Sequence, residues 1–132
     1  MPEPTVRNTA IVSAEPGSPF PELRARRCEC GYVFCPPHGY GCERCGRAGE
    51  FTSEVLLKGR GVLTALATVH VHSKLPTPYG LGRVTLDEGP VLDVPLVAGA
   101  DLSIGSRVSA RLVPDASGEV LECRFGAEEE TP

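Results

Sequence analysis

Residues 54–72 read EVLLKGRGVLTALATVHVH, and the reading of this run decides the fold. It is rich in Val, Leu and Thr, with Gly59 and Gly61 near its start. A helix tolerates such a pair poorly, because each interior glycine costs about 1 kcal/mol relative to alanine. A long strand uses the pair for a bulge or a sharp coil. The run is therefore expected to be one long, glycine-coiled strand. Downstream, SKLPTPYG (73–80) breaks it with two prolines. Short strands follow at Arg83–Asp87, Val91–Val97, Arg107–Val113 and Glu119–Phe125, with turns at Glu88-Gly89 and Asp115–Gly118. In the fourth strand Val108, Ala110 and Leu112 alternate onto one face. Five strands, the first long and coiled, fit a small Greek-key barrel of the OB type. A β-sandwich needs about seven. Residues 98–106, AGADLSIGS, fall where such barrels place a connecting helix but are Gly-rich for one.

Upstream of the barrel the chain carries a different signal. Five of the six cysteines lie between Cys28 and Cys45. Cys42-Glu-Arg-Cys45-Gly46 is a C-x-x-C-G knuckle, in which the glycine lets the backbone curl so that N–H groups point at thiolates. Cys28-Glu-Cys30-Gly31 is irregular, because Arg27 stands where a regular knuckle has its first ligand. Cys30, Cys42 and Cys45 are expected ligands. Cys28 is the favoured fourth, Cys35 before Pro36-Pro37 is the alternative, and His38 is a weaker substitute. Four thiolates around zinc make a closed, structural site, and such a site folds a segment too small for its own core. Iron also fits a rubredoxin-like ribbon, although zinc is favoured.

The expected architecture is mainly β: a rubredoxin-like zinc ribbon followed by a five-stranded OB-fold barrel. An extended arm is expected over 1–20, the ribbon over 21–50, the barrel over 51–125 and an acidic tail over 126–132. Clustered cysteines and the lack of an apolar core in MPEPTVRNTA argue against export, so a cytoplasmic protein is expected. No run of 18 apolar residues is present, so no membrane contact is expected. Cys123 reads as a small buried hydrophobe on the last strand.

Several stretches together resemble a known family. Cys28-Glu-Cys30-Gly31, Phe34-Cys35-Pro36-Pro37 and Cys42-Glu-Arg-Cys45 resemble the ribbon of the acyl-CoA-associated zinc-ribbon plus OB-fold family. Gly59-Arg-Gly61-Val62, Pro78-Tyr79-Gly80 and Arg83–Gly89 resemble its first barrel strand, its loop and its second strand. The resemblance covers about residues 20–125. It implies a non-catalytic accessory partner of thiolase-like enzymes (thiolases, acyltransferases or retro-aldolases), supporting their action on acyl-CoA and lining the acyl-CoA channel. A hetero-oligomer and a role in lipid metabolism follow from it.

The residues weigh against two other classes. No G-x-S-x-G elbow, P-loop or G-x-G-x-x-G is present, and His70 and His72 share a strand face with no third partner near in sequence. A nucleic-acid-binding ribbon/OB module is the alternative reading. It is disfavoured because segments 83–87 and 91–97 carry no aromatic residue for base stacking. The net charge of −4 says less, since three of the acidic residues are Glu128–Glu130 in the tail. For CoA or an enzyme partner, Lys58, Arg60, Lys74 and Arg83 supply candidate cations. Leu75, Pro78, Tyr79 and Gly80 supply a loop at the expected barrel mouth.

Overall fold

The computed structural model describes residues 5–14, 20–73, 77–115 and 117–128. Among these, the strands are β1 (Thr5–Val6), β2 (Val12–Ser13), β3 (Glu22–Cys28), β4 (Val33–Phe34) and β5 (Thr52–Leu57). They continue with β6 (Arg60–Val69), β7 (Tyr79–Leu86), β8 (Val91–Pro95), β9 (Arg107–Pro114) and β10 (Val120–Ala127). A single 3-10 turn, Gly49–Phe51, precedes β5.

β6 to β10 make the barrel. Their order is β10-β9-β6-β7-β8, all antiparallel. A parallel bridge between Leu96 and Phe125 closes it, with the Val97 N–H donating to the Phe125 carbonyl at 2.8 Å. Around the barrel the strands run first, second, third, fifth, fourth and back to first. That is the five-stranded Greek key of an OB fold. Leu63, Val84, Leu86, Val108 and Phe125 fill the interior, each at most 2% exposed.

The run 54–72 is two strands. Gly59 has φ +69°, and a Cβ there would come within 2.9 Å of the Ala110 Cβ. The chain turns at this residue as only glycine can. β5 departs from the barrel and pairs antiparallel with β3, from Leu23↔Leu57 to Cys28↔Thr52. The ribbon sheet thus reaches residue 57 instead of ending at 50. β6 starts at Arg60 and stops at Val69, short of His72. Gly61 serves a close approach, since a Cβ there would collide with the Thr85 carbonyl oxygen. The register shift falls between Leu63 and Ala65.

The ends of the chain also depart from expectation. Within the expected arm, β1 pairs in parallel with β10 and β2 pairs antiparallel with β3. Two-residue pairings leave no period in a sequence. At the other end β10 runs through Ala127, and Glu128 ion-pairs with Arg107 at 2.9 Å. The second barrel strand begins at Tyr79, inside the expected loop. Residues 98–106 form turns rather than a helix, with Gly99 and Gly105 at positive φ.

One hydrophobic core joins the two sheets. Leu23, Ala25 and Leu57 of the ribbon belong to the same cluster as Leu63, Val108 and Phe125 of the barrel. Each such buried Leu or Phe contributes roughly 1.5–3 kcal/mol, so the shared core fixes the ribbon against the barrel.

Candidate metal centre and groove

β3 delivers Cys28 as its last, buried residue, and the chain then turns through Glu29-Cys30-Gly31. The Gly31 N–H donates to the Cys28 carbonyl at 2.8 Å, and Gly31 sits at φ +96°. The second knuckle is a hairpin closed by the Gly41↔Ala48 bridge, with Gly46 at φ +77°. The Arg44 and Cys45 amides both donate to the Cys42 Sγ at 3.4 Å. These turns bring the sulfurs of Cys28, Cys30, Cys42 and Cys45 within 4.8 Å of one another. Cys28 Sγ lies 3.6 Å from Cys45 Sγ, and Cys30 Sγ 3.7 Å from Cys42 Sγ. A tetrahedron of Zn–S bonds of about 2.3 Å sets its sulfurs about 3.8 Å apart. The donor set and its spacing therefore fit a tetrahedral metal ion with no further change of fold.

Such surroundings move Cys42 and Cys28 in opposite directions. Burial works against a Cys42 thiolate, but the Cys45 and Arg44 amides and the neighbouring thiols outweigh it and bring the group down to about 6. Cys28 moves the other way, up to about 12. The hydrogen bond from the Cys30 backbone favours its thiolate, but burial and the hydrogen bonds to Cys30, Cys45 and Cys42 outweigh it. Cys35 lies outside the cluster. Its thiol donates to the Arg24 carbonyl at 3.3 Å, and burial pushes it up to about 11. His38 also stands apart, with Nε2 3.0 Å from Glu43 and its ring centroid 4.6 Å from that of Phe34.

The barrel carries a groove of about 670 Å³. One wall is Leu66–Thr68 with Pro78, Tyr79 and Gly80, and another is Leu96 to Ala100. The remaining side comprises Val113–Asp115, Glu122 and Arg124. The Arg124 guanidinium lies 5.9 Å from the Tyr79 ring centroid, a cation–π contact. Its Nε donates to Glu122 at 3.2 Å and its Nη1 to the Leu96 carbonyl at 2.9 Å. Arg7 reaches over from the arm, donating to Glu122 at 3.1 Å and to Asp115 at 3.0 Å. The groove thus joins apolar walls to a fixed charged border.

Of the expected contact residues, Pro78, Tyr79 and Gly80 line this groove together. Arg60 lines a separate depression with Asp101, Arg107 and Glu128. The Lys58 backbone N–H donates to Glu88, away from the groove. Lys74 and Leu75 lie outside the described residues. His70 and His72 follow the end of β6, and the His72 ring meets Tyr79 edge-on at 5.9 Å. Tyr79 also puts an aromatic on the second barrel strand, which the segment 83–87 did not show. Sequence reasoning missed Arg7, Asp115, Glu122 and Arg124. The only local signal was the spacing of Glu122 and Arg124, two apart on one strand face.

The C-terminal OB-fold domain of ChsH2 matches this chain over residues 54–113. Among solved structures, a chain of the Ltp2-ChsH2(DUF35) aldolase is similar, with 26% identity and a TM-score of 0.58. The likeness covers 76% of this chain and 84% of that one. No curated protein matches the sequence.

Proposed function

We propose, taking residues 54–113 as a ChsH2-type C-terminal OB-fold domain, that this chain is a non-catalytic accessory subunit of a thiolase-superfamily enzyme. The partner acts on acyl-CoA thioesters and keeps the chemistry in its own active site. One observation carries this reading: similarity to a chain of the Ltp2-ChsH2(DUF35) aldolase extends over 76% of the molecule, more than the barrel strands alone occupy. The aldolase name favours a carbon–carbon cleaving partner over a thiolase or an acyltransferase.

In this reading Cys28, Cys30, Cys42 and Cys45 hold one zinc ion. A closed set of four thiolates leaves no position open for substrate, so the ion supplies structure to the ribbon. Pro78, Tyr79 and Gly80 offer an apolar surface to the enzyme or to the acyl chain. Tyr79 and Arg124 give that surface a polar end.

The test is to tag the chain, purify it from its native host and identify what co-elutes. A thiolase-like subunit in stoichiometric amount is the expected result. Recovery of the chain alone, with no affinity for CoA thioesters, overturns the reading. Tyr79→Ala is expected to weaken complex formation or turnover, and unchanged values for both exclude the groove from it.

A further inference from the structure

β6 is ten residues long, but only its beginning is flanked on both sides. Arg60–Val62 pair with β9, and Leu63 exchanges backbone hydrogen bonds with Ser106 and Gly105 at 2.9 and 2.7 Å. From Ala65 to Val69 the strand pairs with β7 alone among the described residues. Its other edge leaves backbone N–H and C=O groups open to pairing. Thr64 through Thr68 are all exposed, and Leu66 is 46% exposed. Two of the usual protections of an edge, charge and proline, are missing here. From Gly61 to Val69 there is no charged residue and no proline. The register shift lies at the root of the projecting segment and passes over Thr64, so that Ala65–Val69 are the residues in regular pairing with β7. The segment Thr64-Ala65-Leu66-Ala67-Thr68 also reads the same in both directions.

We propose that a second copy of this chain adds to this edge, β6 against β6, antiparallel across a two-fold axis at Leu66. In that register Thr64 faces Thr68, Ala65 faces Ala67 and Leu66 faces its own copy. Thr–Thr and apolar pairs of equal size favour antiparallel pairing, and a two-fold contact needs a self-complementary patch. Charge does not oppose this occupant. The chain carries a net −4, yet this edge is uncharged, so two copies meet here without opposing like charges. The side chains are small, and the strip covers less than the roughly 1,200–2,000 Å² of a stable complex. The dimer is therefore weak and exchanges readily. The inference does not rest on the accessory-subunit reading, but Leu66–Thr68 also form one wall of the groove, so self-pairing and occupation of the groove compete for these residues.

Sedimentation of the metal-loaded full chain from micromolar to millimolar concentration tests it. The weight-average mass is expected to climb from 14.0 kDa toward twice that value. Leu66→Lys places two ammonium groups opposite each other and holds the mass at the monomer value, as does Leu66→Glu with two carboxylates. An equimolar mixture of the two variants restores the rise, because lysine then faces glutamate. Circular dichroism and bound metal verify that both variants are folded. A wild-type chain that stays monomeric throughout overturns the proposal. So does a rise that persists in Leu66→Lys, or a mixture that associates no better than its components. If Leu66→Lys instead loses a co-purifying enzyme while the wild type alone is monomeric, the edge belongs to that enzyme and self-pairing is excluded.

Discussion

Cys42 and Cys35 differ in what surrounds their sulfurs. Cys42 accepts from two backbone amides beside three other thiols, whereas Cys35 is half-buried and donates to the Arg24 carbonyl. Cys42→Ser is expected to weaken metal binding by at least about tenfold, and Cys35→Ser to retain one ion per chain. Elemental analysis of the purified variants checks both, and the absorption spectrum separates zinc from iron. The knuckle at 42–46 was legible because its ligands and turn are local. The choice between Cys28 and Cys35 was not, since it depends on where β3 ends and which way the chain turns afterwards. Two glycines give a second contrast. A Cβ at Gly61 meets the Thr85 backbone, which cannot yield without breaking the β6–β7 pairing. At Gly82 it meets the ends of Leu63 and Leu96 at 2.6 and 3.0 Å, which can rotate away. Gly61→Ala is expected to destabilise by about 2–3 kcal/mol and Gly82→Ala by about 1–2 kcal/mol in urea unfolding.

The strands divide by how they hold themselves in place. β4 and the knuckles depend on the cysteine cluster, while β6 to β10 hold one another around Phe125. A chelator that strips the metal is therefore expected to remove amide-exchange protection from 28–51 first. Protection of Leu63, Val84 and Val108 is expected to persist. β3 and β5 should fall between, because Leu23 and Leu57 sit in the barrel's core and Arg26 binds both the side chain and the carbonyl of Thr52 at 2.8 Å. The later strands were readable because breakers bracket them: Glu88-Gly89 and Asp115–Gly118 stand between residues that alternate. The run 54–72 was misread as one strand because its interruption, Lys58-Gly59-Arg60-Gly61, suits a bulge or coil within a strand as well as a break between two. Only the positive φ at Gly59 divides it, at a residue whose carbonyl accepts from the Ala110 N–H at 2.7 Å, far along the chain. β1 and β2 were invisible for a related reason, since their partners are β10 and β3.

Across the whole molecule, Arg107 ties the start of β9 to the turn after β7 and to the end of β10. It donates to Asp87 at 2.7 Å and to Glu128 at 2.9 Å. Hydrogen bonds from this guanidinium hold both carboxyls below their ordinary values. A carboxyl with a lowered folded-state pKa adds stability above its unfolded value and loses it as pH falls through the folded one. The urea midpoint is expected to fall as pH drops below about 4, and Arg107→Gln should flatten that decline while lowering the neutral-pH value slightly. Little of this clamp was legible, because Glu128 read as part of a free tail. The turn at Gly59 also bears on how the molecule behaves mechanically and as a heritable piece. It is an elbow with no room for a side chain: Leu23 lies 3.8 Å and Ala110 2.9 Å from where a Cβ would stand. A fragment begun at residue 51 would carry β5 with nothing across from it. One begun at residue 59 would strip the barrel of the side chains that seal its flank. Ribbon and barrel are thus transmitted as a single piece. A push on the cysteine knuckles reaches the barrel as torque, so a body gripping both ends meets a fixed calliper.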